Sequence, residues 1–146
     1  GSAELPVGTS VVLGAKATQY HYDLREEDAW YGAGLITLGR LSSLELGAEV
    51  GRMNGDSDDN RYLLYRAFLY WQVEAGFLRE GVFSADAQLV NYDTEIYGES
   101  QAQFYSLGIG GRVVPDLLRI KVAVNYSRDP YYDEDVSAIL SLLLDL

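Results

Sequence analysis

Hydrophobic and polar residues alternate along the whole of segment 61–77, RYLLYRAFLYWQVEAGF. From residue 62 onward, one set of alternate positions carries no charge and includes Leu69 and Trp71, while the other set carries Arg66 and Glu74. Successive side chains of a β-strand point to opposite faces of the sheet, so the pattern predicts a strand with one apolar face and one ionic face. Its length of about seventeen residues is far above the usual five to six.

The same alternation recurs along the rest of the chain. Eight strands are predicted, at about residues 9–22, 30–41, 44–53, 61–77, 82–92, 102–114, 118–127 and 136–146. An even number of strands joined by hairpins is what an up-and-down barrel requires, so residues 1–146 are expected to form one all-β domain. The second predicted strand is rich in glycine and its two faces are poorly separated, which leaves its orientation open.

The connections are predicted to alternate in length. Those after the first, third, fifth and seventh predicted strands are the longer ones and concentrate acidic residues, at about 23–28, 53–60, 93–101 and 128–135. The others are short. In bacterial outer-membrane barrels short turns face the periplasm and longer loops face outward, so this pattern would place both termini on the periplasmic side.

Composition narrows the function classes. The net charge of -11 repels nucleic-acid phosphates, so no nucleic-acid partner is expected. No apolar run approaches the roughly 20 residues of a transmembrane helix. The mean hydropathy of -0.07 still allows a membrane barrel, because only alternate residues of such a barrel face lipid. There is no cysteine. Gly1 and Ser2 are interpreted as a remnant of cloning.

Two sets of residues follow from the alternation if the strands close into a membrane barrel, whose apolar face is outward and polar face inward. An eight-stranded barrel has room inside only for side chains, and charges desolvated there must pair. The predicted inward, ion-pairing set is Lys16, Glu45, Glu49, Arg66, Glu74, Asp86, Arg112, Arg119 and Lys121. The predicted lipid-facing set is Leu63, Leu69, Trp71, Val73, Leu107, Ile109, Ile120, Val122, Val124, Leu140 and Leu142. The expected lumen is therefore plugged by polar side chains, and a narrow, gated ion path is the alternative.

Catalytic and metal chemistry have little support in the sequence. The one histidine, His21, lies near the predicted outer rim beside Asp23, and spacing does not show a converging serine and acid. The segment MNGDSDDN lacks the ligand spacing and the distal glutamate of a calcium-binding EF-hand. No catalytic residue, metal ion or cofactor is therefore expected, and the acidic segment is interpreted as a solvated loop.

The closing segment VSAILSLLLDL has apolar residues at alternate positions up to its last residue. With the eight predicted strands, it resembles the small eight-stranded outer-membrane barrels, the class of the OmpA membrane domain and OmpX. The resemblance is architectural, and family members usually end on an aromatic residue where this chain has Leu146. It implies an eight-stranded antiparallel up-and-down transmembrane β-barrel in a Gram-negative outer membrane. The implied protein is a porin-like monomer that contacts lipid or lipopolysaccharide and is assembled by the β-barrel assembly machinery.

A soluble, lipocalin-like barrel that binds a small apolar ligand is the main alternative. It has the same strand count and period, but its apolar face is inside and its polar face outside. Periodicity alone does not say which face is inward. A fragment of a larger barrel, or an engineered version of one, would show the same pattern.

Overall fold

A computed structural model describes residues 2–5, 9–23, 26–40, 43–75, 78–114 and 118–144. Nearly all of these residues lie in strands. The strands are β1 (Ser2–Leu5), β2 (Thr9–Tyr22), β3 (Glu27–Arg40), β4 (Leu44–Gly55), β5 (Tyr62–Ala75), β6 (Leu78–Ile96), β7 (Glu99–Val114), β8 (Leu118–Asp129) and β9 (Tyr132–Leu144). One short 3₁₀ helix, Asp58–Asn60, lies between β4 and β5.

All nine strands belong to one antiparallel sheet whose spatial order is the chain order. The eight long strands β2 to β9 therefore confirm the predicted eight-stranded, up-and-down, all-β fold. One row of directly paired residues crosses the sheet from β2 to β9: Val11, Leu38, Leu46, Leu69, Ala85, Leu107, Val124 and Ala138. Every residue of this row is apolar, so the predicted alternation is in register across all eight strands.

The register divides the side chains into two faces. The face that contains the row from Val11 to Ala138 is called the apolar face, and the opposite one the polar face. Leu38 pairs with Val11 and so lies on the apolar face, whereas Thr37 pairs with Val12 on the polar face. This pairing gives β3, the glycine-rich second long strand, the orientation that its own sequence left open.

The polar face is the more sheltered one. Tyr31, Met53, Val90 and Ala102 occupy it and are at most 7% exposed. The described residues form no second layer that could cover this face. A single sheet shelters one of its faces only by curving towards it, and we infer that the sheet curves towards its polar face.

The described sheet is open rather than closed. β2 and β9 are not neighbours in the sheet order, and all of β9 is exposed on both faces. The outer edge of β2 pairs with β1 only at Thr9 to Val12. The sequence did not predict β1, and Ser2, interpreted as a cloning remnant, pairs there with Val12.

The predicted long connections after the fifth and seventh predicted strands are wrong. The acidic segment 93–101 is mostly strand, because β6 extends to Ile96 and β7 begins at Glu99. Likewise β8 extends to Asp129 and β9 begins at Tyr132. Tyr97 and Gly98 both have positive φ, as the two central residues of a type I′ hairpin turn require. β6 and β7 therefore continue up to this two-residue turn. Acidic side chains in these hairpins are carried on strand extensions rather than on loops.

Candidate site on the polar face

All nine residues predicted to point inward occupy the polar face. Their pairing and alternation place Lys16, Glu45, Glu49, Arg66, Glu74, Asp86, Arg112, Arg119 and Lys121 on it. The eleven residues predicted to face lipid all occupy the apolar face: Leu63, Leu69, Trp71, Val73, Leu107, Ile109, Ile120, Val122, Val124, Leu140 and Leu142. The strand register therefore assigns each predicted set to one face of the sheet.

The centre of the polar face carries a compact charge network, defined here by Glu49, Arg66 and Asp86. Arg66 Nη2 lies 2.6 Å and Nε 2.8 Å from Asp86 Oδ2. Arg66 Nη1 lies 3.8 Å from Glu49 Oε2. The two carboxylates are sheltered, with side chains 11% and 20% exposed, so the guanidinium between them compensates their desolvation.

Neutral donors complete this network. The Tyr31 hydroxyl donates to Glu49 Oε1 at 2.7 Å, and Gln88 Nε2 donates to Asp86 Oδ1 at 3.0 Å. Neither residue belongs to the predicted inward set, because a tyrosine or glutamine within an alternating strand gives no sign of its cross-strand partner. The result is a connected set of hydrogen bonds and ion pairs that spans β3 to β6.

The end of the polar face nearest the acidic hairpins is aromatic rather than ionic. Tyr31 and Met53 are buried there, and Tyr22 and Tyr62 pack against them. The Tyr62 and Tyr92 rings meet edge to face, with centroids 5.8 Å apart. These side chains form a layer on the polar face between the charge network and the acidic hairpins.

The opposite end of the polar face holds a cavity of about 490 Å³. Arg112, Arg119 and Lys121 line it together with Glu80. Arg112 Nε lies 3.1 Å from Glu80 Oε2, a partner that the sequence did not predict. Three of the predicted inward cations are thus gathered around one cavity, away from the Glu49–Arg66–Asp86 network.

The remaining predicted inward residues have other surroundings. Lys16 Nζ lies 5.0 Å from the centroid of the Tyr31 ring, a cation–π arrangement rather than an ion pair. Within the described part of the chain, Glu45 and Glu74 form no ion pair. The predicted nine-residue set is therefore two separate clusters with three outlying members.

The apolar face is the more exposed one. Trp71 is 49% exposed, Leu107 56% and Leu142 63%. Towards the acidic hairpins this face also carries charges. There Arg52 pairs with Asp93, and Arg128 Nη2 lies 2.8 Å from Glu99 Oε1. An apolar band is therefore bordered by a charged rim on the same face.

His21 and the acidic connection show no catalytic or metal-binding arrangement. His21 Nδ1 lies 2.8 Å from Asp28 Oδ1, and His21 Nε2 lies 3.3 Å from Asp23 Oδ1. The His21 side chain is 60% exposed. No nucleophile is seen beside this histidine in the described contacts. In the acidic connection between β4 and β5, the Arg61 side chain donates hydrogen bonds to the carbonyl oxygens of Gly55 and Asp56. Over the described ranges, no group of three or more acidic or histidine side chains is placed to hold a metal ion.

Comparison with known proteins adds no relatives. Neither protein-family models, nor characterised proteins, nor solved structures match this chain significantly. Among the described residues, no helix is long and apolar enough to cross a membrane.

Proposed function

We propose that this chain is an integral bacterial outer-membrane β-barrel with a polar, largely plugged lumen and a structural or narrow-pore role. The observation that carries the proposal is the opposite character of the two faces. Apolar rows such as Val11 to Ala138 run unbroken across eight strands with most of their side chains exposed, while the Glu49–Arg66–Asp86 network lies on the sheltered face. In membrane barrels the outward face is apolar and the interior polar.

The soluble, lipocalin-like alternative fits this arrangement less well. Such a barrel would need its apolar face inside, but the inferred curvature puts the polar face there. Glu49, Arg66 and Asp86 would then line the pocket meant for an apolar ligand. The chain would also present a very large apolar surface to water, well beyond the few hundred Å² usual for soluble monomers.

Closure of the barrel requires β9 to pair with β2. Their free edges are antiparallel, and β1 already occupies β2 from Thr9 to Val12. Leu13 is the first residue of β2 that β1 leaves unpaired at this edge, so we place Leu144 opposite Leu13. Since one row joins Val11 to Ala138, this closure staggers the strands by about eight residues, which fits the roughly 35–45° strand tilt of such barrels.

Cysteine crosslinking tests the closure, because the chain has no cysteine of its own. In the proposed register Ala17 faces Leu140. The double variant Ala17→Cys/Leu140→Cys is expected to form an intramolecular disulfide under mild oxidation. Ala17→Cys/Leu142→Cys would crosslink instead if the stagger is two residues larger.

Val11→Cys/Leu140→Cys serves as the out-of-register control and should stay reduced. Disulfides only between molecules would contradict closure and show that the edges of separate copies pair.

Extraction and gel migration test the membrane assignment. The protein should require detergent to stay in solution. It should also migrate differently on a gel before and after boiling in SDS, which the resemblance to outer-membrane barrels implies. A monomer that stays soluble in plain buffer, with one mobility before and after boiling, would overturn the proposal. In planar bilayers the plugged lumen predicts no discrete conductance, whereas reproducible steps would favour the narrow-pore role.

The remaining parts of the proposal follow from the same class. Both termini would face the periplasm, and the acidic hairpins would face outward. Lipid or lipopolysaccharide would surround a monomer that the β-barrel assembly machinery inserts. No catalytic role is proposed.

A further inference from the structure

Three exposed tyrosines lie at the tips of two neighbouring hairpins. Tyr97 is in the turn between β6 and β7, and Tyr131 and Tyr132 are at the turn between β8 and β9. Their exposed fractions are 83%, 50% and 72%. We call these three residues the tyrosine platform. They differ from Tyr31 and Tyr62, which pack together on the polar face.

The tyrosine platform is held in place by contacts within and between the two hairpins. The rings of Tyr97 and Tyr131 meet edge to face, with centroids 5.7 Å apart. The backbone N–H groups of Tyr131 and Tyr132 both donate to Asp129 Oδ1, at 2.8 and 3.0 Å. A surface that is ordered before its partner arrives loses less conformational entropy on binding.

The backbone conformation of Tyr97 is unfavourable for a tyrosine. Its φ of 52° lies in the left-handed region, where type I′ turns favour Asn, Asp or Gly. A bulky side chain is uncommon there, and backbone strain of this kind is concentrated at functional sites. The turn itself would form more readily with Asn, so the Tyr97 ring is not explained by the turn.

The aromatic girdle of a membrane barrel does not account for the platform either. On the apolar face the rings of Tyr105 and Tyr126 pair at the hairpin end of the apolar band, where such a girdle is expected. β7 extends six residues beyond Tyr105, to Glu99, which is about 20 Å at roughly 3.3 Å per residue. At a strand tilt of about 40°, roughly 15 Å of this length lies along the membrane normal, more than the roughly 5–8 Å of one headgroup layer.

The platform lies in the most acidic part of the chain. The four acidic segments, 23–28, 53–60, 93–101 and 128–135, contain fourteen acidic residues. Seven of these acids are in the two hairpins of the platform. The arginines in or next to the four segments are Arg25, Arg52, Arg61 and Arg128. Negative charge therefore exceeds positive charge here even if every one of these arginines pairs with an acid, and the surface is complementary to a cationic partner.

We propose that the tyrosine platform is a docking surface for a positively charged polypeptide segment. Tyrosine rings attract guanidinium and ammonium groups through cation–π contacts, and tyrosine is enriched among the residues that dominate protein interfaces. The surrounding carboxylates attract the same segment and orient it. An uncharged saccharide would also stack on the rings, but it would gain nothing from this charge. The surface goes beyond the proposed barrel function and does not depend on closure or membrane insertion.

Isothermal titration of the purified full chain with octa-arginine tests the surface, in zwitterionic detergent micelles or in plain buffer if the chain is soluble there. A peptide of Gly-Ser repeats with the same length and the saccharide maltoheptaose are the uncharged comparisons. Binding of octa-arginine alone is the expected result. Absence of octa-arginine binding would overturn the proposal, and so would equal or tighter binding of maltoheptaose.

Variants of the tyrosines make the assignment specific. Tyr97→Asn/Tyr132→Thr should weaken octa-arginine binding by about five- to thirtyfold, since each exposed cation–π contact is worth roughly a factor of two to five. Asn suits the turn and Thr suits a strand, so both hairpins should still fold. Tyr97→Phe keeps the ring and should bind within about twofold of the parent. Unchanged binding in the double variant would contradict docking on the rings.

A charge-matched pair of variants separates this surface from general attraction to an acidic chain. Asp133→Asn/Glu134→Gln removes two charges next to the platform, and Asp23→Asn/Glu26→Gln removes two charges from the hairpin between β2 and β3. The first variant should lose about threefold more affinity than the second. Equal losses would overturn the proposal. Circular dichroism of each variant checks folding, and the charge-matched pair keeps the test valid if the double tyrosine variant does not fold.

Discussion

The two faces of this sheet are built from the same strands but show opposite relations between polarity and exposure. On the apolar face Leu107 is 56% exposed, and on the polar face the Glu49 side chain is only 11% exposed. A soluble sheet buries its apolar face and exposes its charges. The difference teaches that apolar burial within the described part of the chain is not what organises the fold, in keeping with the proposal that the apolar face contacts lipid.

The largest expected effect comes from placing a charge at the middle of the apolar face. In lipid vesicles, Leu107→Arg should lower the free energy of unfolding by about 2–4 kcal/mol, because arginine is costly near the bilayer midplane. Gln103→Arg, on the same strand and face but nearer the charged rim, should cost about 0–1 kcal/mol. Urea titration followed by tryptophan fluorescence measures both. A water-facing surface would instead give both variants values within about 0.5 kcal/mol of the parent.

A smaller effect is expected from breaking the charge network on the polar face. Arg66→Met leaves Glu49 and Asp86 without their shared cation and should cost about 1–3 kcal/mol, below the roughly 3–5 for a fully buried pair because Arg66 is 31% exposed. Adding Glu49→Gln and Asp86→Asn should recover most of that loss, since no unpaired charge remains. Equilibrium unfolding of the single and triple variants checks this. A triple variant less stable than Arg66→Met would show that the carboxylates act independently of Arg66.

Substitutions at two glycines test how crowded each face of the sheet is. A Cβ at Gly51 would overlap the Tyr31 ring, whereas a Cβ at Gly34 on the apolar face would meet nothing within 4 Å. Gly51→Ala should therefore cost about 1–3 kcal/mol through overpacking. Gly34→Ala should change stability by no more than about 0.5 kcal/mol. Similar values for the two variants in the same unfolding assay would mean that Tyr31 does not pack over Gly51.

The smallest expected effect is a pH dependence at the charged rim. Hydrogen bonds from Arg52 lower the pKa of Asp93, which lies in the part of β6 beyond the apolar band. A lowered pKa in the folded state means that the contribution of Asp93 is present above its unfolded pKa and is lost as pH falls through the folded value. Stability should thus fall slightly more between about pH 4 and 2 in the parent than in Asp93→Asn, measured by parallel urea titrations. Identical acid dependence would show that the rim pair is too solvated to matter.

Strand number, order and facing could be predicted because each depends on local alternation. Leu107 and Ser106 differ in polarity, so their opposite faces follow from sequence alone. The positions of the turns in the acidic hairpins could not be predicted, because Asp93 and Glu99 have the composition of a loop. A strand that extends beyond the apolar band nevertheless tolerates such acidic side chains. The cross-strand pairing of Arg79 with Arg112 and of Arg112 with Arg119 could not be predicted either, because it depends on the register of β6, β7 and β8 and on an irregularity near Glu80.

Lipid contact of the apolar face is measured most directly by quenching Trp71 fluorescence with lipids brominated on their acyl chains. The chain has two tryptophans, so Trp30→Phe leaves Trp71 as the only reporter, and its side chain lies in the apolar band. Strong quenching in brominated bilayers, with little quenching by aqueous iodide, is the expected result. Quenching by iodide without an effect of the brominated lipid would place Trp71 in water and contradict a lipid-facing apolar surface.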